Sequence, residues 1–164
     1  LYTDADTILF FDSDVIAIRP FSPADLTIDG KPRWLITPYA KLVKPDGTPD
    51  APWQPITAKA IGRSVDFEAM RSHPLMATSE ALVHFRMFME KQHGMSLGEY
   101  IARQPSREFS EWNAIGAWAY YYAPGLFSFW NTEEKGVPVP FVKQYWSWGG
   151  ITPEIRAQME EILK

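Results

Sequence analysis

The most apolar stretch near the start of the chain is Ile8-Leu9-Phe10-Phe11, with no polar alternation, and it runs directly into Asp12-Ser13-Asp14. Continuous hydrophobicity of this length predicts a strand over Thr7–Asp12 covered on both faces, and hence an α/β layer arrangement. Val15–Ile18 is expected to continue in extended form until Arg19-Pro20 and Ser22-Pro23 break it. Trp34–Pro38 reads as a further short strand behind the turn sequence Asp29-Gly30-Lys31-Pro32. The four prolines between Pro45 and Pro55 predict a long loop.

Helical periodicity dominates the middle of the chain. A short helix is predicted from Ser64 to Ser72 and a strand over Pro74–Thr78. Ser79 then opens a helix to about His93, with Leu82, Phe85 and Met89 at helical spacing and Gly94 as its stop. Ser96 and Ser110 read as caps of two more helices, to about Arg103 and Tyr122. Leu126–Trp130 and Val137–Val142 are strand candidates. Thr152-Pro153-Glu154 supplies a cap, an early proline and a first-turn acid, so a last helix follows, docked through Ile155, Met159, Ile162 and Leu163.

Composition narrows the class. With 46% hydrophobic and 22% charged residues among 164, the chain has ordinary globular usage and enough length for one core. A net charge of −4 with acids and bases interspersed offers no footprint for nucleic acid. Zero cysteines exclude disulfides, thiolate metal sites and a cysteine nucleophile, and are compatible with the cytoplasmic location expected here. No apolar run approaches a membrane span. The 15% aromatic content suits either a core or a surface that stacks on sugar faces.

The acid pair carries the first chemical expectation. On extended chain, residues i and i+2 share a side, so Asp12 and Asp14 would present two carboxylates to one point beyond the strand. Hard cations such as Mn²⁺ or Mg²⁺ take one or two carboxylates, several waters and the phosphates of a substrate. Ligands of open α/β sheets lie beyond the carboxyl ends of strands. The competing reading is an aspartate-capped turn. The apolar strand immediately before the pair favours the cation, because adjacent carboxylates at a sheet edge repel unless neutralised.

Two enzyme classes use a strand ending in Asp-x-Asp. Haloacid-dehalogenase-like phosphatases also need a later aspartate-rich motif, and no aspartate follows Asp66. The order of DTILFFDSDVIAIRPF, HPLMATSEALVHFRMFMEKQHG, FSEWNAIGAWAYYY and YWSWGG instead resembles a bacterial family of GT-A-like glycosyltransferases, over nearly the whole chain. The resemblance implies the C-terminal part of a GT-A-type, Rossmann-like nucleotide-diphospho-sugar transferase domain. Residues 1–164 would form one partial domain, without the nucleotide-binding βα units that precede the Asp-x-Asp strand in that fold. It also implies a nucleotide-sugar donor and a carbohydrate or glycoconjugate acceptor. Asp14 would be the main metal ligand, with Asp12 touching the metal through water or the ribose. In an inverting enzyme of this kind Glu111 would be the base that deprotonates the acceptor; the competing reading is a first-turn acid that favours the helix dipole.

The remaining candidates have weaker signals. Asn113 either orients a sugar hydroxyl or bonds locally near the helix cap. Trp146 and Trp148, beside two glycines, read either as an aromatic lid over the substrate or as plain packing, whereas Trp112 and Trp118 read as core. No histidine falls late in the chain, so Gln144, water or His73 would complete the metal shell. His84 and His93 read as surface or packing residues, and Lys59 and Arg63 as solvated cations. A noncatalytic carbohydrate-binding module, with Asp12 and Asp14 structural, is the alternative from outside enzymology.

Overall fold

The structure, a computed structural model, describes residues 5–70, 74–105, 108–145 and 150–163. Its strands are β1 (Thr7–Phe10), β2 (Val15–Ala17), β3 (Thr27–Ile28), β4 (Lys31–Pro38), β5 (Phe67–Glu68), β6 (Leu75–Thr78), β7 (Ser128–Asn131) and β8 (Val142–Gln144). Its α-helices are α1 (Gln54–Ile61), α2 (Ser79–His93), α3 (Leu97–Ala102), α4 (Glu111–Tyr122), α5 (Thr132–Lys135) and α6 (Pro153–Ile162). The result is a mixed α/β fold with small sheets. No helix among the described residues is long and apolar enough to cross a membrane.

The sheets are local. β1 pairs antiparallel with β6, and β2 antiparallel with β8. The largest sheet centres on β4, which pairs with β3, β5 and, in parallel, β7. Asp29 and Gly30, both at positive φ, make the tight reversal between β3 and β4. A two-residue turn of this hand matches strand twist and demands residues that tolerate left-handed backbone, which Asp-Gly supplies.

The expectation that the first strand is covered on both faces is corrected. Ile8, Leu9 and Phe10 are half-buried, and Phe11 is 46% exposed. Burial on two faces depends on neighbours, and β6 is the only strand paired with β1 among the described residues. The proposed extension after the acids does form, as β2. The predicted helix at Ser64–Ser72 is replaced by β5 in its described part, while residues 71–73 lie outside the described residues. Helix α1 instead grows out of the end of the proline-rich stretch, with Pro55 in its first turn and Gly62 as a left-handed C-cap.

The main core lies between the β4 sheet and helices α1, α2 and α4. In α4, every residue from Asn113 to Ala119 is buried, so this helix is enclosed on all sides rather than amphipathic. Trp34 of β4 is 1% exposed, and its indole N–H donates to the Ala69 carbonyl at 2.8 Å. The serine caps expected at Ser96 and Ser110 are present, each accepting from the amide three residues on. For α2 the cap is Thr78 rather than Ser79. Helix α6 starts at the predicted Thr152 cap but buries no residue fully, so its docking is looser than its apolar stripe suggests.

A second, smaller cluster of Leu26, Met76, Phe141 and Val142 is joined by Leu9 of β1, Val15 of β2 and Phe21. One position in the main core is over-dressed. Tyr100, 4% exposed, stacks on His93 with ring centroids 4.1 Å apart, but its buried hydroxyl has no hydrogen-bond partner among the described residues. A buried hydroxyl without a partner costs about 1–3 kcal/mol of desolvation. Tyr100→Phe is therefore expected to leave stability unchanged or raise it by up to about 1 kcal/mol in urea unfolding; a clear loss would show that the hydroxyl is bonded.

Candidate metal and phosphate site

The backbone leaves β1 at Phe10 and turns at Ser13-Asp14, with the Val15 amide donating to the Asp12 carbonyl at 3.3 Å. The segment is thus a turn, not the continued extended chain that the i, i+2 argument assumed. The two carboxylates nevertheless meet. The Gln144 side-chain amide donates to Asp12 Oδ2 and to Asp14 Oδ1, both at 3.3 Å. The two acceptor oxygens are therefore no further apart than the sum of those distances.

The frame around the pair is asymmetric. Asp14 is 8% exposed, whereas Asp12 is open to solvent. The Tyr145 amide donates to the Asp14 carbonyl at 2.8 Å, so the end of β8 grips Asp14 through main chain as well as through Gln144. Below lies the smaller hydrophobic cluster, in which Val15 and Val142 take part. The sequence Asp-Ser-Asp-Val thus leaves Asp12 and Ser13 exposed, buries Asp14 and half-buries its valine.

This donor set suits a hard divalent cation. Two carboxylates held at one place repel each other, and an amide dipole compensates only part of that repulsion. The 3.3 Å contacts are also at the long limit for N–H···O bonds. A cation would compete with the Gln144 N–H groups for the same oxygens. Rotation of that amide would present its carbonyl oxygen instead, adding a third oxygen ligand. Among the described residues, no group of three or more His, Cys, Asp or Glu gathers at one point, so Gln144, substrate phosphate and water would complete the shell. Gln144→Glu is accordingly expected to lower stability without metal and to enlarge the rise in Tm on adding Mn²⁺, measured by scanning calorimetry with and without the ion. An unchanged metal response would remove Gln144 from the site.

The other predicted residues fall in different places. Glu111 is exposed in the first turn of α4, and no described hydrogen bond or ion pair joins it to Asp12 or Asp14. Its neighbour Trp112 packs on Phe10, with ring centroids 4.7 Å apart, which brings the start of α4 against the end of β1. Asn113 belongs to the framework: it is 1% exposed, its Oδ1 accepts from the Ala69 amide at 2.7 Å, and its Nδ2 donates to Ser110 Oγ at 3.3 Å. A sugar cannot reach it in this arrangement, so its expected hydroxyl-orienting role gives way to a structural one. Trp118 is core and Trp112 half-buried.

His84 is exposed, and His93 packs on Tyr100 with Nε2 2.8 Å from the Ala60 carbonyl. Arg63 lies over the Tyr121 ring, 3.9 Å from its centroid, and Lys59 is exposed. His73, a possible third metal ligand, and Trp146 and Trp148, the candidate lid, lie outside the described residues.

Sequence reasoning passed over a cavity of about 200 Å³ beside the acid pair. Gln144 lines it, as do Arg33, Leu75 and residues of the Val137–Val142 stretch. Leu75 is in register with Phe10, which places the cavity along the end of β1. Arg33 carried no signal as an isolated basic residue in a strand; only the pairing of β4 with its neighbours brings it here.

Fold and site together define a mixed α/β protein with a carboxylate pair at a strand-end turn. Comparison with known proteins finds no matching protein family, no matching curated protein and no matching solved structure.

Proposed function

We propose that the chain is the metal-binding and acceptor-side part of a GT-A-type glycosyltransferase, which moves a sugar from a nucleotide-diphosphate sugar to a carbohydrate or glycoconjugate acceptor. The observation that carries the reading is the convergence of Asp12 and Asp14 on one nitrogen of Gln144 at the end of an apolar strand. The sequence resemblance supplies the reaction class.

Asp14, held by the end of β8, is the more rigid ligand; Asp12, facing solvent, is the one that would meet a water or a ribose hydroxyl. A bound Mn²⁺ or Mg²⁺ supplies Lewis-acid stabilisation of the charge on the departing diphosphate. Glu111 takes the acceptor proton in this reading, supported by its exposure and by the contact of Trp112 with Phe10. A solvated carboxylate becomes an effective base only when substrate excludes water around it.

The test is titration of Mn²⁺ into the full chain, followed by electron paramagnetic resonance with and without nucleoside diphosphates. Coupled binding is expected, in which a nucleoside diphosphate tightens metal binding and nucleotide sugars are slowly hydrolysed only when metal is present. Formation of a phosphoaspartate mimic at Asp12 with beryllium fluoride, without nucleotide-dependent metal binding, would replace this reading with a phosphatase.

A further inference from the structure

The cavity beside the acid pair has a polarity of its own. Arg33 on its wall is partly buried, and burial pulls its guanidinium down from the ordinary arginine value, while Asp25 acts in the opposite direction. It stays cationic at neutral pH. No carboxylate lies within ion-pair distance of it among the described residues: the Asp25 carboxylate is taken by Arg19 at 3.3 Å and by the Ser22 amide at 2.8 Å. Arg33 lies instead over the Trp130 ring, 5.8 Å from its centroid, and Lys135 approaches the same ring at 5.3 Å. A partly desolvated cation with no carboxylate in ion-pair contact among the described residues, lining a cavity, is a place for an anion.

Much of the remaining lining is apolar. Trp130 Nε1 donates to the Gly136 carbonyl at 2.8 Å and so ties down the start of Val137-Pro138-Val139-Pro140. Val137 and Val139 are each 76% exposed although they line the cavity. The prolines stiffen this arm by fixing φ. At about 200 Å³ the cavity falls short of the roughly 300–1,000 Å³ that encloses a whole small ligand. It has room for a head group, with the rest of the molecule lying over the exposed valines.

We infer that the Arg33 cavity receives an amphiphilic acceptor, holding its phosphate or carboxylate at Arg33 and its apolar stem along Val137 and Val139. This rests on the transferase reading and names the acceptor class for it. The shared wall residue, Gln144, puts such a head group next to the carboxylate pair, where a cation between the two would offset the repulsion of acid by acid. Arg33 binds and positions; no chemical step is assigned to it.

The experiment is calorimetric or fluorescence titration of the full chain with n-octyl phosphate, octyl glucoside and inorganic phosphate. Octyl phosphate is expected to bind at least about tenfold more tightly than either of the others, as a charge-assisted contact and an apolar stem together require. Arg33→Gln should lose at least about tenfold of that affinity, and Arg33→Lys should retain part of it. Without metal, Asp14→Asn should bind octyl phosphate at least as tightly as the unaltered chain does, because a neighbouring like charge is removed, which separates this inference from the transferase reading. Equal binding of octyl glucoside would show a merely apolar surface, and equal binding of inorganic phosphate an anion site without a stem preference. Either result overturns the inference, as would unchanged binding by Arg33→Gln. An Arg33→Gln defect confined to nucleoside diphosphate with Mn²⁺ would give the cavity to the donor and overturn it equally.

Discussion

Asp14→Asn is expected to lower metal-dependent turnover of a nucleotide sugar by at least about a hundredfold, since Lewis-acid stabilisation of a leaving diphosphate contributes several kcal/mol to the barrier. The substitution keeps the size of the side chain and a hydrogen-bonding oxygen for Gln144, so the fold should survive it. Only the charge is lost. Asp12→Asn should cost less, because Asp12 faces solvent and water can take its place, whereas Asp14 is 8% exposed and held from two sides by the end of β8. The measurement is hydrolysis of nucleotide sugars against Mn²⁺ concentration for both variants, with thermal unfolding as the control for folding. Retained activity in Asp14→Asn would end the metal role assigned here. A larger effect at Asp12 than at Asp14 would reverse their ranking.

Gly116→Ala should destabilise the chain by about 2–3 kcal/mol, despite the gain of about 1 kcal/mol that alanine brings to a helix interior. A Cβ at this position would collide with the Cβ of Ala69 and lie 3.0 Å from Nε1 and 3.2 Å from Cε2 of Trp34. None of these atoms ends a flexible side chain. Trp34 is anchored through its indole N–H to the Ala69 carbonyl, and the Ala69 amide is held by Asn113. Ala69 is thus fixed from both its polar groups by the residues that flank the new methyl, and relief requires α4 to move away from β4. Denaturant unfolding of Gly116→Ala and of Asn113→Ala checks this. The latter should lose about 1–3 kcal/mol by orphaning the buried Ala69 amide. Stability of Gly116→Ala equal to that of the unaltered chain would mean that α4 and β4 are not packed as described.

These two positions show which parts of the molecule could be read in advance. The caps at Ser96, Ser110 and Thr152 are local events, decided by side chains within three residues of the amides they satisfy, and they stand where the sequence puts them. Helix α1 also carried its own signal, in a proline at its start and a glycine at its end, masked by the surrounding prolines. The interior side of Val137–Val142 did not behave as one strand. Pro138 and Pro140 lack the amide a ladder needs, and pairing begins only at Val142.

What neighbours decide was less legible. The apolar run Ile8–Phe11 correctly marks β1, but whether both of its faces are covered depends on what lies alongside. Asp12 and Asp14 were expected to converge because of extended backbone; they converge because a glutamine from the far end of the chain bridges a turn. Asn113 looked like a candidate ligand-binding polar residue because a motif contains it. Its burial follows from α4 being enclosed on every side, which a helix rich in alanine, glycine and aromatic residues permits but does not announce.

The bridge from Gln144 to the two aspartates spans 132 and 130 residues of sequence. During synthesis, the acid pair therefore leaves the ribosome long before the strand that braces it. At roughly 5–20 residues per second, the delay amounts to many seconds in which two neighbouring carboxylates have no partner from β8. A nascent or prematurely ended chain lacking β8 would carry the Asp-Ser-Asp motif intact in sequence yet remain unable to form this grip. The assembled site is in this sense made well after its own motif, and its appearance reports that synthesis has passed β8.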